Sequence, residues 1–250
     1  MTPIVSRFLP PIIGGSILLL LWQVASLSAP TLIPSVSAVA RATFALLGSE
    51  QVRRDVLATV SRTLLAVGIA IGAGVPLGAI MGSTHLFRAA FGWLIDFLRS
   101  IPAFVLLPLF ITVFRSGDAA RLGMAAFGAG IVMLASTAFG AAHGKPLRVE
   151  VARVYGASRL FRFAVAVRGI LPAVADGVRI SVSLGLVLVV VGEIVLGATY
   201  GLGTRVNDSL SGFELDRMYA LTVIVGCVGY ALNLLARVLT NRWSAYGRHL

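Results

Sequence analysis

Six stretches of this sequence are long and apolar enough to cross a bilayer, and no other feature narrows the fold as far. They run roughly Leu9–Ser28, Val56–Gly82, Ala89–Phe114, Leu122–Ala142, Ala173–Ala198 and Met218–Thr240. A spanning helix needs ~20 predominantly apolar residues, set by a hydrocarbon core ~30 Å thick. Backbone N–H and C=O groups find no water at that depth, so a spanning segment must satisfy them itself as a helix or within a closed barrel. Long runs without polar alternation specify helices. The expected fold class is all-α: a polytopic membrane helical bundle of about six transmembrane helices.

Composition agrees. Hydrophobic residues make up 58% of the chain and charged residues 12%, against ~45–50% and ~25% in soluble domains. Too few charged groups remain to cover a water-facing surface. The formal net charge is +11, but the cations sit between apolar runs rather than on one basic face. That is a topology signal and argues against a nucleic-acid partner. The first run follows Arg7 and has the look of a signal peptide. Its length and the five spans after it make it an uncleaved first helix. The lone Cys227 lies in an apolar run and cannot form an internal disulfide or a multi-cysteine metal site.

Orientation follows from short-loop cations. With the N-terminus inside, Lys145, Arg148, Arg153, Arg159, Arg162 and Arg168 fall in one inner segment, opposed only by Glu150. Outer-loop cations such as Arg53, Arg54, Arg115, Arg121, Arg205 and Arg217 are interleaved with Glu50, Asp55, Asp118, Asp208, Glu214 and Asp216. Both termini are therefore expected in the cytosol. Residues 1–55 hold the first span and, after Pro30 and Pro34, an amphipathic helix at the outer interface. Its apolar face is Val36, Val39, Ala40, Phe44 and Leu47. Residues 56–250 hold the other five spans and the inner segment 144–172.

The inner segment is patterned. Pro146 suits a helix start and Glu150 its positive end. Gly156 suits a helix end, because glycine takes left-handed angles without a side-chain clash. A second short helix over Ser158–Val167 would follow. Small residues at Ala152, Gly156 and Ala157 would let another protein approach the backbone. A basic hairpin lying on anionic lipid is the simpler alternative.

Several motifs resemble one family. Glu150-Val-Ala followed by Gly156 is similar to the "EAA…G" loop of type I ABC importer permeases. Arg99-Ser-Ile-Pro-Ala-Phe-Val-Leu-Leu-Pro-Leu-Phe110 is similar to a stretch of their nitrate/sulfonate/taurine group. Pro34-Ser-Val-Ser-Ala-Val39, Ser61-Arg-Thr-Leu, Gly74-Val-Pro-Leu-Gly78, Glu193 and Gly201-Leu-Gly203 fall in the same order as in that group. Departures are Val151 for the loop's first alanine, Arg168-Gly169 for a Leu-Pro, and Thr204 for an aromatic residue.

The resemblance implies a permease subunit for a small polar or anionic solute, nitrate-, sulfonate- or taurine-like, delivered by a periplasmic binding protein to the inner membrane. Thiamine precursors, riboflavin or aromatic acids are the alternative solutes. It implies that Glu150, Val151, Ala152, Arg153, Tyr155, Gly156, Ala157, Ser158 and Arg159 dock on a dimer of ATPase subunits. It also implies a second permease chain, expected to be a copy of this one.

This chain is not expected to be the motor. A phosphate-cradling loop ends in Gly-Lys-Ser/Thr, and the only lysine, Lys145, follows Gly144 but precedes Pro146. ATP and magnesium are thus expected on the partner, with no cofactor bound here and no catalytic residue. His85, His143 and His249 lie in separate loops or the tail, so no metal is assigned.

Ionisable groups at membrane depth are functional candidates. Asp96 and Arg99 share a helix face, as do Asp176 and Arg179; both could be self-neutralising pairs. Alternatively Arg99, with Ser100 and the helix-loosening Pro102, lines the translocation path. Glu193, near the outer end of its span, suits a gate or a subunit contact. Two readings from other classes are an ion-coupled secondary transporter, which lacks support from any internal repeat, and a membrane scaffold.

Overall fold

The computed structural model describes residues 5–115, 117–143 and 146–245. Helix α1 spans Val5–Ser28, α2 Val36–Leu47, α3 Glu50–Ser83, α4 His85–Ser100, α5 Leu107–Phe114 and α6 Gly117–His143. Then come α7 (Pro146–Val154), α8 (Arg159–Leu196), α9 (Leu202–Ser211) and α10 (Leu215–Ala245). Among the described residues, five helices (residues 9–28 of α1, then α3, α6, α8 and residues 215–241 of α10) are long and apolar enough to span a membrane.

The third expected span is not one helix. Helix α4 ends at Ser100, a short 3-10 helix covers Ala103–Leu106, and α5 leaves at 90° to α4. The cause is Pro102. It has no N–H to donate and forces the preceding residue out of the helical region. Ile101 accordingly sits at φ −85°, ψ 119°. Arg99 therefore stands in the last turn of α4, beside the break.

A second correction concerns residues 158–167. They form no separate helix but the opening turns of α8, which continues through Pro172 to Leu196. Ser158 caps it, accepting from the Phe161 N–H at 3.3 Å, and no stop signal intervenes. A third difference is α9, a ten-residue helix in what the sequence suggests is only a loop.

Helices α3, α6 and α8 pack into the core, with α10 against α8, α9 and α2. The α3–α6 crossing is close because its contact residues lack side chains. A Cβ on Gly78 would fall 2.4 Å from the Leu134 carbonyl oxygen, and one on Gly82 would fall 2.2 Å from that of Ala138. Small residues let membrane helices gain van der Waals contact where hydrophobic driving force is absent. Helix α1 is peripheral. It is tied by Trp22 Nε1 donating to the Pro34 carbonyl at 3.1 Å, and by Val36 N–H donating to Gln23 Oε1 at 3.3 Å.

Candidate functional site

Three regions carry polar chemistry: a cluster at the α9 end of the bundle, a cavity at the α4 break, and the α7–α8 corner at the opposite end.

The cluster centres on Glu193, which is fully buried. Thr59 Oγ1 donates to its carboxylate at 2.9–3.0 Å, Arg62 Nη1 at 2.8 Å and the Gly203 N–H at 3.0 Å. Thr59 Oγ1 also accepts from the Leu202 N–H at 3.0 Å. One turn away, buried Asp55 accepts from the Gly201 N–H at 2.8 Å and from Arg205 Nε at 2.9 Å. The first N–H groups of α9 thus meet acceptors from α3 and α8, which is what the positive end of a helix favours.

Arg62 extends the network to the Tyr200 carbonyl at 2.7 Å and to Asp118 at 3.1 Å. Arg121 bonds Asp118 at 2.7 Å and also reaches the Gly197 carbonyl. Burial would lower the Arg205 pKa, but Asp55 and Asp208 outweigh it and hold that guanidinium more firmly protonated.

The Gly201-Leu-Gly203 motif has a steric reason. A Cβ on Gly201 would lie 2.6 Å from the Glu193 carboxyl carbon, and one on Gly203 would lie 2.3 Å from the Val190 carbonyl oxygen. Thr204 donates to the Glu193 carbonyl at 3.1 Å, so this departure from the family motif is used in the same contact. Glu193, read in the sequence as a candidate for the translocation path, a gate or a subunit contact, has its carboxylate enclosed within this cluster.

Sequence reasoning names Asp55 only as an outer-loop charge and Arg62 only within Ser61-Arg-Thr-Leu, and it does not single out Thr59 or bring the three together. They recur on one face of α3 at helical spacing, and an arginine inside an apolar run demands a partner. That signal was available, although the partner's identity was not.

The cavity at the break has a volume of about 440 Å³ and is lined by Arg99, Pro102, Phe104, Gly128, Ile131 and Val187, among others. Arg99 forms no ion pair with Asp96 or any other described residue. The Asp176–Arg179 pair, by contrast, does form, at 3.5 Å. Ser100 turns away from the cavity chemistry, its hydroxyl donating to the Asp96 carbonyl at 2.8 Å. Among the described residues no three His, Cys, Asp or Glu side chains converge as a metal site would need.

At the far end, α7 closes on Gly156, whose φ is +71°. The Ala157 N–H reaches the Ala152 carbonyl at 2.9 Å and the Gly156 N–H that of Arg153 at 3.0 Å, the two bonds of a Schellman cap. The corner exposes Val154, Tyr155 (86% exposed), Leu160, Phe161 and Phe163. Glu150 and Arg153 are exposed and pair loosely at 3.8 Å. Ala152 and Ala157 are half-buried, while Val151, Ser158 and Arg159 are exposed. Lys145, part of this segment in the sequence reading, lies outside the described residues.

Comparison with known proteins gives one consistent answer. The chain is 27% identical over 186 residues to the taurine transport system permease protein TauC of Escherichia coli (strain K12), spanning 74% of this chain and 67% of that one. It is 26% identical over 189 residues to the nitrate import permease protein NrtB of Leptolyngbya laminosa, covering 75% and 67%. It is also 26% identical over 186 residues to the bicarbonate transport system permease protein CmpB of Synechococcus elongatus, covering 73% and 66%. Its fold resembles a chain of the inward-facing MetNI methionine ABC transporter, with a TM-score of 0.66 and 20% identity over 78% of this chain and 99% of that one. Residues 74–245 match the model of the "binding-protein-dependent transport system inner membrane component" family. With that match covering most of the bundle, from mid-α3 to the end of α10, the chain belongs to the family of binding-protein-dependent transport system inner membrane components.

Proposed function

We propose that this chain forms half of a translocation path for a small anionic or zwitterionic solute, with Arg99 as its recognition charge. Membership of the family makes it a transport component of an ABC importer, working with a binding protein and a separate ATPase. It gives no support to an ion-coupled carrier. The solute class draws on relatives that carry taurine, nitrate and bicarbonate. The observation that carries the reading is Arg99 itself. It lines a cavity at a broken helix, with no carboxylate among the described residues to neutralise it. An unpaired cation at membrane depth costs free energy unless it serves a ligand or water-filled path.

In this reading the α7–α8 corner, Glu150 to Arg159, is cytosolic and docks on the ATPase, which holds ATP and magnesium. Both termini then lie on the cytosolic side, and a second copy of the chain completes the path. The exposed Tyr155 and Leu160 suit a protein partner better than water.

The test is uptake by the complex reconstituted in vesicles, with taurine, nitrate and bicarbonate as probes. Arg99→Ala is expected to abolish uptake of whichever probe the wild type carries while the ATPase still co-purifies. Wild-type uptake by that variant would overturn the role of Arg99. Loss of the co-purified ATPase on changing Glu150 or Gly156, with the fold intact, checks the docking corner.

A further inference from the structure

Asn233 on α10 donates from Nδ2 to Ser183 Oγ on α8 at 2.8 Å. Both residues lie deep in their spans, ~20 Å from the α9 end of α8 and ~27 Å from that end of α10. A cavity of about 370 Å³ opens between the two helices there, and Ser183, Val187, Tyr230, Asn233 and Arg237 are among its lining residues. Val187 also lines the Arg99 cavity and is 55% exposed. The two cavities therefore flank one strip of α8, and each supplies one arginine.

Neither cavity is lined by an acidic residue. Arg237 has no ion pair or hydrogen bond among the described residues. Ser183 is already engaged, with its hydroxyl oriented to the Arg179 carbonyl at 3.4 Å while it accepts from Asn233. The second amide N–H of Asn233 and the hydroxyl of Tyr230, which is 74% exposed, are left as neutral donors. Arg237 lies one turn beyond Asn233, ~6 Å from the end of the apolar run at Asn241, and polar side chains within a span characteristically face a water-filled cavity rather than hydrocarbon. Two like charges on either side of a strip with low-dielectric walls focus a positive potential on it.

We propose that the Val187 strip of α8, between Arg99 and Arg237, is an anion-binding station on the translocation path, taking a small oxyanion through Arg237 and the Asn233 amide. The proposal rests on the transport reading above and extends it to α10. A lipid phosphate offers the same oxyanion chemistry, and the test separates the two sources.

The chain has one cysteine, Cys227, so a Cys227→Ser background leaves no competing thiol. Val187→Cys is introduced into it, with Phe104→Cys in the Arg99 cavity as the reference. The full chain, purified with its ATPase, is placed in vesicles of phosphatidylcholine with or without phosphatidylglycerol. It is reacted with the anionic sulfonatoethyl and the cationic trimethylammonioethyl methanethiosulfonates, each rate normalised to that with a free thiol.

Cys at 187 is expected to react about 10-fold faster with the anionic reagent, the scale of electrostatic focusing in a charged cleft. Arg237→Ala should lower the ratio several-fold, leaving only the contribution of Arg99, and Arg237→Lys should retain it, in both vesicle types. An unreactive position 187, equal rates, or indifference to Arg237→Ala overturns the proposal. A preference that appears only when phosphatidylglycerol is absent assigns the site to a lipid headgroup and also overturns it. If position 104 reacts and 187 does not, the transport reading survives and this inference fails. If neither reacts, both fail.

Discussion

Arg62 Nη1 lies 2.8 Å from Glu193 Oε1, joining α3 to α8 around a carboxylate that is fully removed from solvent. The same carboxylate takes the Gly203 N–H of α9 and the hydroxyl of Thr59. Three helices are therefore fixed by one acidic side chain. The cluster ties α3, α8 and α9 into one block.

The first prediction concerns that block. Glu193→Ala leaves Arg62, Thr59 and Gly203 facing an empty, buried site. Removing one partner of a buried pair costs ~3–5 kcal/mol, because the other charge stays uncompensated. Glu193→Gln keeps one acceptor oxygen for Gly203 and Thr59 but turns an amide NH2 toward the Arg62 guanidinium in place of the charged oxygen, costing ~1–3 kcal/mol. Thermal unfolding of the detergent-solubilised protein should rank wild type above Gln above Ala. Equal melting of all three would mean that the cluster contributes no stability.

A second prediction compares glycines on one helix. A Cβ on Gly78 meets the Leu134 backbone oxygen at 2.4 Å, whereas one on Gly72 meets nothing within 4 Å. Gly78→Ala must force α3 and α6 apart, at ~1–3 kcal/mol for overpacking a tight contact. Gly72→Ala fills open space and gains helix propensity, worth up to ~1 kcal/mol. The two variants should move the melting temperature in opposite directions.

How much of this was legible in the sequence depends on the distance over which each feature is decided. The apolar runs placed the spans because the bilayer imposes length locally. Gly156 was legible as a helix end because a Schellman cap is built from neighbours in the chain. Pro102 was legible as a weak point, but the 90° turn was not, since its size depends on where α5 lands against α6. Helix α9 was missed because its length and polarity are those of a loop. It is held by its N-terminal contacts with Asp55, Thr59 and Glu193, residues remote in sequence. The merger of residues 158–167 into α8 was missed because their arginines suggest an interface and conceal a continuous helix.

A third prediction concerns α1. Only 6% of its apolar window is buried, and the family match begins beyond it, at residue 74. Its anchors are Trp22 on the Pro34 carbonyl, Gln23 on the Val36 N–H, and the Trp22 ring 5.9 Å from that of Tyr219. Removing residues 1–28 should leave the remaining bundle folded, with a melting temperature lowered by only a few degrees, as loss of ~1–2 kcal/mol would give. Failure of the shortened chain to fold would make α1 part of the core.

The last prediction separates two reasons for a glycine at 156. Nothing lies within 4 Å of where its Cβ would be, so within this chain the position is constrained by its φ of +71° alone. On that ground Gly156→Ala costs ~1–2 kcal/mol for a left-handed residue, while Gly156→Asn costs less, because asparagine tolerates that region. If the glycine also lets the ATPase approach the backbone, any side chain obstructs the contact and asparagine obstructs it more than alanine. Melting of the isolated chain should follow Gly, Asn, Ala in falling stability. Retention of the ATPase through size-exclusion chromatography should follow Gly, Ala, Asn. The same order in both measurements would reduce the glycine to a helix cap, and the opposite orders would make it a contact surface as well.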